Sequence, residues 1–238
     1  MMRSSFVVSL VLASLFGSTL SAQSTLTPLS TFGTNGWLAP GSSPYLAITN
    51  NERGMAYNPI TGNLILVSRT GGPNIRVLNS FTGTDLGGLD VTGVTGGTFV
   101  IDMVDCAQDG SIYVCNLSTS LTAPFKVYKW ANETAGVPPT VVYNAVTNMV
   151  RTGDSFAVYG GLTSPAQFAS AGSATASNSC FAVGPLDGTN ASTTYLSIPG
   201  TPNATANGYR LGMTFVNANT IIGTQGAAGL MTTFSGAT

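Results

Sequence analysis

The segment Thr98 to Leu117, TFVIDMVDCAQDGSIYVCNL, constrains the fold more than any other stretch of this chain. Two apolar runs meet across Gln108-Asp109-Gly110-Ser111, and Asp-Gly between alternating hydrophobic residues is the strongest short-range signal for a β-hairpin. An equivalent phrase precedes it at Arg53 to Arg69, RGMAYNPITGNLILVSR, where Asn58-Pro59 opens a turn and Thr61-Gly62-Asn63 closes it before an apolar strand. One unit is used twice, and the rest of the chain reads as further copies of it.

Strands are expected near Gly54 to Tyr57, Leu64 to Arg69, Ile75 to Ser80 and Leu86 to Val91, forming a first unit. A second follows at Phe99 to Asp105, Ser111 to Leu117, Phe125 to Trp130 and Thr140 to Tyr143. A third, more degenerate, occupies Ser155 to Tyr159, Gln167 to Ser170, Ser179 to Val183 and Thr194 to Ile198. A fourth has Tyr209 to Val216, Thr220 to Thr224 and Leu230 to Phe234. Equivalent strands recur about every 45 to 55 residues, the period of four-stranded propeller blades. No window has a helical period with paired caps, so the expected class is all-β: a propeller-like array of about four blades. A β-sandwich would also accept these strands, but the repeat length favours the propeller. The last unit lacks a fourth strand. Either a strand at Leu26 to Phe32 completes it or the array is incomplete, and the low blade number favours incompleteness.

Three parts are expected along the chain: residues 1–22, 23–51 and 52–238. Met1 to Ala22 has a basic end at Arg3, an apolar core from Phe6 to Phe16 and a small-residue close, the pattern of a cleaved secretory signal. Its apolar run is shorter than the roughly 20 residues a bilayer requires. Residues 23–51 contribute the short strand and an irregular connection, and residues 52–238 the β domain. The expected location is secreted or at the cell surface, and no transmembrane segment is expected.

Composition narrows the chemistry. Of the 238 residues, 43% are hydrophobic, enough for a core, while only 7% are charged, leaving a surface of Gly, Ser, Thr and Asn. A net charge of -1 without a basic run argues against nucleic acid as a partner. The chain has no histidine, which excludes imidazole bases, imidazole metal ligands and Ser-His-Asp or Cys-His catalysis. Gly153-Asp154-Ser155-Phe156 has the look of a GDSL-type esterase block, but its serine has no histidine to activate it, and a polar turn before a strand is the simpler account.

The remaining candidates are few. Asp102, Asp105 and Asp154 are the carboxylates that inner strands could bring together around a hard cation such as Ca2+. No other cofactor is expected, and Asp109 is explained by its turn. Tyr128 and Trp130 share a strand face with Lys126 and are the candidate aromatic binding surface for carbohydrate, with core packing as the competing fate. Cys106 and Cys115 flank the hairpin turn. A two-residue loop at Gly110-Ser111 would place them opposite each other for a disulfide, whereas a three-residue loop would turn them to opposite faces. With Cys180 the count is three, so one thiol is left over.

The phrases FGTNGWLAPG (Phe32 to Gly41), ERGMAYNPITGNLILVSR (Glu52 to Arg69), LSTSLTAPFKVYKW (Leu117 to Trp130), GDSFAVYGG (Gly153 to Gly161) and YRLGMTF (Tyr209 to Phe215) resemble a family of secreted bacterial propeller-like proteins of unknown function. Members of that family often carry a PEP-CTERM sorting tail, which this sequence lacks. The resemblance implies no catalytic residues. The expected role is non-catalytic binding of an extracellular ligand, carbohydrate or protein. The alternatives are a structural protein that self-assembles through unpaired strand edges, and a metal-dependent sugar-lactone hydrolase centred on the three aspartates.

Overall fold

The computed structural model describes residues 27–173, 179–195, 210, 212–224 and 231–235. The expected signal segment lies outside them. Everything described is strand, turn or loop, arranged as small antiparallel sheets with no helix.

The first sheet is the meander β1 (Glu52–Tyr57), β2 (Asn63–Ser68), β3 (Asn74–Asn79) and β4 (Asp85–Gly88). The second is β5 (Val104–Cys106), β6 (Ile112–Cys115), β7 (Phe125–Trp130) and β8 (Thr140–Ala145). The third is β9 (Val150–Tyr159), β10 (Gln167–Ser173), β11 (Ser179–Pro185) and β12 (Thr193–Tyr195). The fourth has three strands, β13 (Met213–Asn217), β14 (Thr220–Thr224) and β15 (Met231–Ser235). Each sheet follows chain order because its turns are short, and the four expected units each become one sheet.

The hairpin turns form as their residues require. In the first sheet, Asn58 Oδ1 accepts from the Ile60 amide, and Gly62, at φ +75°, donates its amide to the Asn58 carbonyl. In the second, Ala107 and Ser111 pair across Gln108-Asp109-Gly110, with Gly110 at φ +82° and Asp109 Oδ1 accepting from the Ser111 amide. Cys106 therefore stands opposite Ile112, not opposite Cys115. The three-residue loop sends Cys106 toward the first sheet and Cys115 toward the third, so both are free thiols and the disulfide considered above does not form. Burial holds Cys115 far above the usual thiol range and pushes Cys106 up to about 12. The side chain of Cys180 lies outside the described part.

Successive sheets pack face to face. Ile65, Val67, Ile75 and Val77 of the first meet Val104, Ile112, Val114, Tyr128 and Trp130 of the second. The opposite face of the second, with Tyr113, Phe125, Val127 and Tyr143, meets Phe156 and Phe168 of the third. Phe125, Tyr143 and Phe168 pack with ring centroids 4.7 to 5.9 Å apart in tilted or edge-on contacts. Ala169, Ala171, Phe181 and Val183 then meet Ile221, Met213 and Phe215 of the fourth sheet. A sheet covered on both faces needs apolar residues at every position, which is why β6 is buried throughout. The first strands of the four sheets run side by side in succession, β1 by β5, β5 by β9 and β9 by β13.

Residues 27–51 differ from expectation. Leu26 to Phe32 was expected as a strand, but its described part is loop followed by turn, and it leans on the first sheet: Thr31 Oγ1 and the Gly33 amide donate to the carbonyls of Phe81 and Thr82. Tyr45, with Leu38 and Leu46, covers the outer face of that sheet over Leu66 and Leu78. A segment held by its neighbour's turn has its backbone groups satisfied without joining a sheet. Among the described residues the strands close into neither a barrel nor a ring.

Candidate functional site

Where the first strands of the sheets lie together, two carboxylates and four guanidinium groups converge. Arg53 lies on β1 and Arg69 follows β2, where its amide is held by the Asn51 carbonyl. Asp102 sits just ahead of β5, anchored by its amide on the Cys115 carbonyl. Arg151 and Asp154 belong to β9, and Arg210 precedes β13.

Local backbone irregularity makes this possible. Ser155 pairs with Ala171 and Val150 with Ser173, so Arg151 to Asp154 bulge opposite the single residue Gly172. Arg151 at φ +62° and Gly153 at φ +112° form the bulge. It brings Arg151 and Asp154 into a two-pronged pair, Nε to Oδ2 at 2.6 Å and Nη2 to Oδ1 at 3.1 Å. The bulge also presses on the second sheet: a Cβ on Gly153 would lie 2.1 Å from the Asn116 carbonyl oxygen. Gly54 plays the same part on β1, since its Cβ would stand 2.6 Å from the Val104 amide nitrogen.

The side chains of Asp102 and Asp154 have no exposed surface. Arg53 Nε donates to Asp102 Oδ1 at 3.1 Å, and Arg69 Nη1 donates to the same oxygen at 3.4 Å. Arg53 Nη2 is 3.9 Å from Asp154 Oδ1, so Arg53 links the two carboxylates. Arg210 Nε lies 2.9 Å from Asp154 Oδ2, an ion pair not aligned for a hydrogen bond. Phe99 lies under Arg69, with the guanidinium carbon 3.7 Å from the ring centroid. Four of the chain's eight basic side chains thus face two carboxylates, a local charge of +2 if all are ionised. Burial raises the Asp102 carboxyl above its usual range despite the two arginines, and its Oδ2 is buried without a hydrogen-bond partner. Burial lowers Arg69, Asp102 opposing this and Arg53 adding to it.

The structure thus joins Asp102 and Asp154 but not Asp105. Asp105 accepts from the Cys106 amide at 2.8 Å and the Val158 amide at 2.7 Å, tying β5 to β9, and burial pushes its carboxyl up to about 6. Among the described residues, no three carboxylate or thiol side chains are placed to hold a metal ion. Tyr128 and Trp130 correct the sequence expectation more sharply, for both are buried in the core between the first two sheets. Tyr128 donates its hydroxyl to the Thr95 carbonyl at 2.6 Å and accepts from the Thr95 amide, while Trp130 Nε1 donates to the Asp90 carbonyl at 2.8 Å. Rings so enclosed offer no binding face.

The arginines are what the sequence reading missed. A signal was present: Arg53-Gly54, Arg151-Thr152-Gly153 and Arg210-Leu211-Gly212 repeat an arginine just before a glycine at the start of three units. A separate cavity of about 470 Å³ lies among Gln167, Val183, Pro185, Ser192, Thr193 and Ala218. It has no ionisable lining and shares no residue with the cluster.

Residues 37–195 match the family described as "Domain of unknown function (DUF4623)". Among solved structures, the chain is similar to the crystal structure of a DUF4623 family protein from Bacteroides eggerthii DSM 20697, with a TM-score of 0.55 and 20% sequence identity. That similarity covers 79% of this chain and 44% of the crystallised one, so the chain spans less than half the length of that relative. No curated protein matches.

Proposed function

The chain belongs to the DUF4623 family, and from that premise we propose that it is a secreted or cell-surface, propeller-like module with a non-catalytic binding role. The observation that carries this reading is the arginine cluster at the first strands of the sheets, where cationic groups remain in excess. The side-by-side succession β1, β5, β9, β13 supports a propeller-like arrangement, in which such strands line a central channel and a ligand approaches its mouth. The absence of any histidine leaves binding as the simplest use of the cluster. The hydrolase alternative draws no support from this geometry, because Asp102 and Asp154 are engaged by guanidinium groups and Asp105 by backbone amides.

The test is to present the purified protein with a panel of extracellular saccharides and peptides, together with lactone and ester substrates, while following binding by calorimetry and turnover by product formation. Binding without turnover is the expected result. Turnover of a lactone or ester, abolished by a chelator, would overturn the reading in favour of the hydrolase.

A further inference from the structure

Resting on the reading that a ligand engages the central cluster, we propose that the cluster is an oxyanion site, in which Arg53 and Arg69 hold a carboxylate or phosphate group of that ligand. The first reason is charge. Partly desolvated guanidinium groups in excess over their carboxylates attract an anion more strongly than the same charges in water. The second is unfilled donor capacity. A guanidinium presents five N–H donors in a rigid fork. The Arg53 guanidinium makes one hydrogen bond among the described residues, through Nε, and its Nη2 stands 3.9 Å from Asp154, beyond hydrogen-bonding reach. The Arg69 guanidinium likewise makes one, through Nη1.

The third reason is preorganisation with access. The two side chains keep 26% and 17% of their surface exposed, so the cluster is reachable. Their shared acceptor, Asp102 Oδ1, holds the two guanidinium groups close together, and the Phe99 ring supports Arg69 from beneath. An anion arriving there meets donors already in place and has little side-chain ordering to impose. A compact oxyanion fits this better than a nucleic acid backbone, which requires a longer basic track.

The experiment compares glucuronate, inorganic phosphate and neutral glucose by calorimetric titration at constant ionic strength. At least one anion is expected to bind and glucose is not, and the tighter anion identifies the group. Arg53→Gln and Arg69→Gln are each expected to weaken binding by roughly tenfold or more, the loss of one charge-assisted hydrogen bond. Arg69→Lys keeps the charge but loses the fork, and is expected to weaken binding less. Arg76→Gln, which removes a pair with Asp85 in the first sheet, is expected to leave binding unchanged. Should the glutamine variants fail to fold, the comparison of probes on the unmodified protein decides. Binding of neither anion, equal binding of glucose, or anion binding indifferent to Arg53 and Arg69 would overturn the proposal. Glucose binding alone would leave the binding module standing without its oxyanion site. Arginine-dependent anion binding accompanied by ester turnover would do the reverse.

Discussion

Arg53 on the first strand of one sheet donates through Nε to Oδ1 of Asp102, at the threshold of the first strand of the next, across 3.1 Å. The bond joins residues 49 apart in sequence and links the first sheet to the approach of the second. With Arg53 also near Asp154, charge runs from the first sheet to the third where the strands lie closest.

Buried carboxylates with several cationic partners are costly to remove from one side only. Asp154→Ala would leave Arg151, Arg210 and Arg53 facing one another without their shared counter-ion. The expected loss of stability is about 3 kcal/mol or more, read from urea denaturation. Arg76→Ala breaks a surface pair and is expected to cost at most about 1 kcal/mol. Equal costs for the two would show that the central pairs do no more than surface pairs do.

Glycine substitutions should rank by what a Cβ would meet. Gly153→Ala faces a carbonyl oxygen at 2.1 Å and a positive φ, and it is expected to abolish or severely impair folding. Gly71→Ala shares a positive φ but meets nothing within 4 Å, so its cost is expected to be about 1 kcal/mol. Thermal melts of the two variants, alongside Gly54→Ala, give the order directly.

The two tryptophans should behave as opposites. Trp37 is 57% exposed and Trp130 is 2% exposed. Acrylamide is expected to quench the red-shifted emission of Trp37 and to spare the blue-shifted emission of Trp130, so that Trp37→Phe leaves a spectrum nearly insensitive to quencher. Tyr128→Phe removes a hydroxyl bonded to both backbone groups of Thr95, and should cost about 1 to 3 kcal/mol without altering ligand affinity.

Asp105 gives stability a pH dependence of a definite sign. Its carboxyl is raised from 3.8 to about 6, so between those values the folded chain holds more protons than the unfolded chain. Stability is then greatest below the unfolded value and declines as pH rises through about 6, by about 2 kcal/mol when partial exposure is allowed for. Asp102, also raised, acts in the same direction. The half-buried Asp90 and the exposed Asp187 are lowered by hydrogen bonds from Thr92 and Thr189, and their opposite effect falls at lower pH, through the ordinary aspartate range and beneath it. Urea midpoints at pH 4.5 and 7 are expected to differ, with the more acidic higher, and Asp105→Asn is expected to shrink that difference. A midpoint independent of pH, or one rising with it, would contradict this assignment.

Local chemistry determined which residues form strands and where the chain turns. Asn58-Pro59 with Gly62, and Asp109-Gly110, specify their hairpins through nearby backbone geometry alone, so four antiparallel units were legible from the sequence. The loop length at Gly110 was not settled that way. Two-residue and three-residue turns both accept Asp-Gly, and only the pairing of Cys106 with Ile112 decided that the thiols part. Tyr128 and Trp130 could have faced solvent or core, because alternation tells one face from the other but not what covers each. The packing of the first sheet against the second enclosed them. What the arginines meet belongs to tertiary structure. Arg53, Arg69, Asp102, Asp154 and Arg210 come from four different sheets or their approaches, and the recurrent arginine before a glycine at three unit starts marks positions in the sequence without showing that they converge on two shared carboxylates. The cluster exists because small residues, Gly54 and Gly153 among them, let the first strands approach closely enough for long side chains to meet.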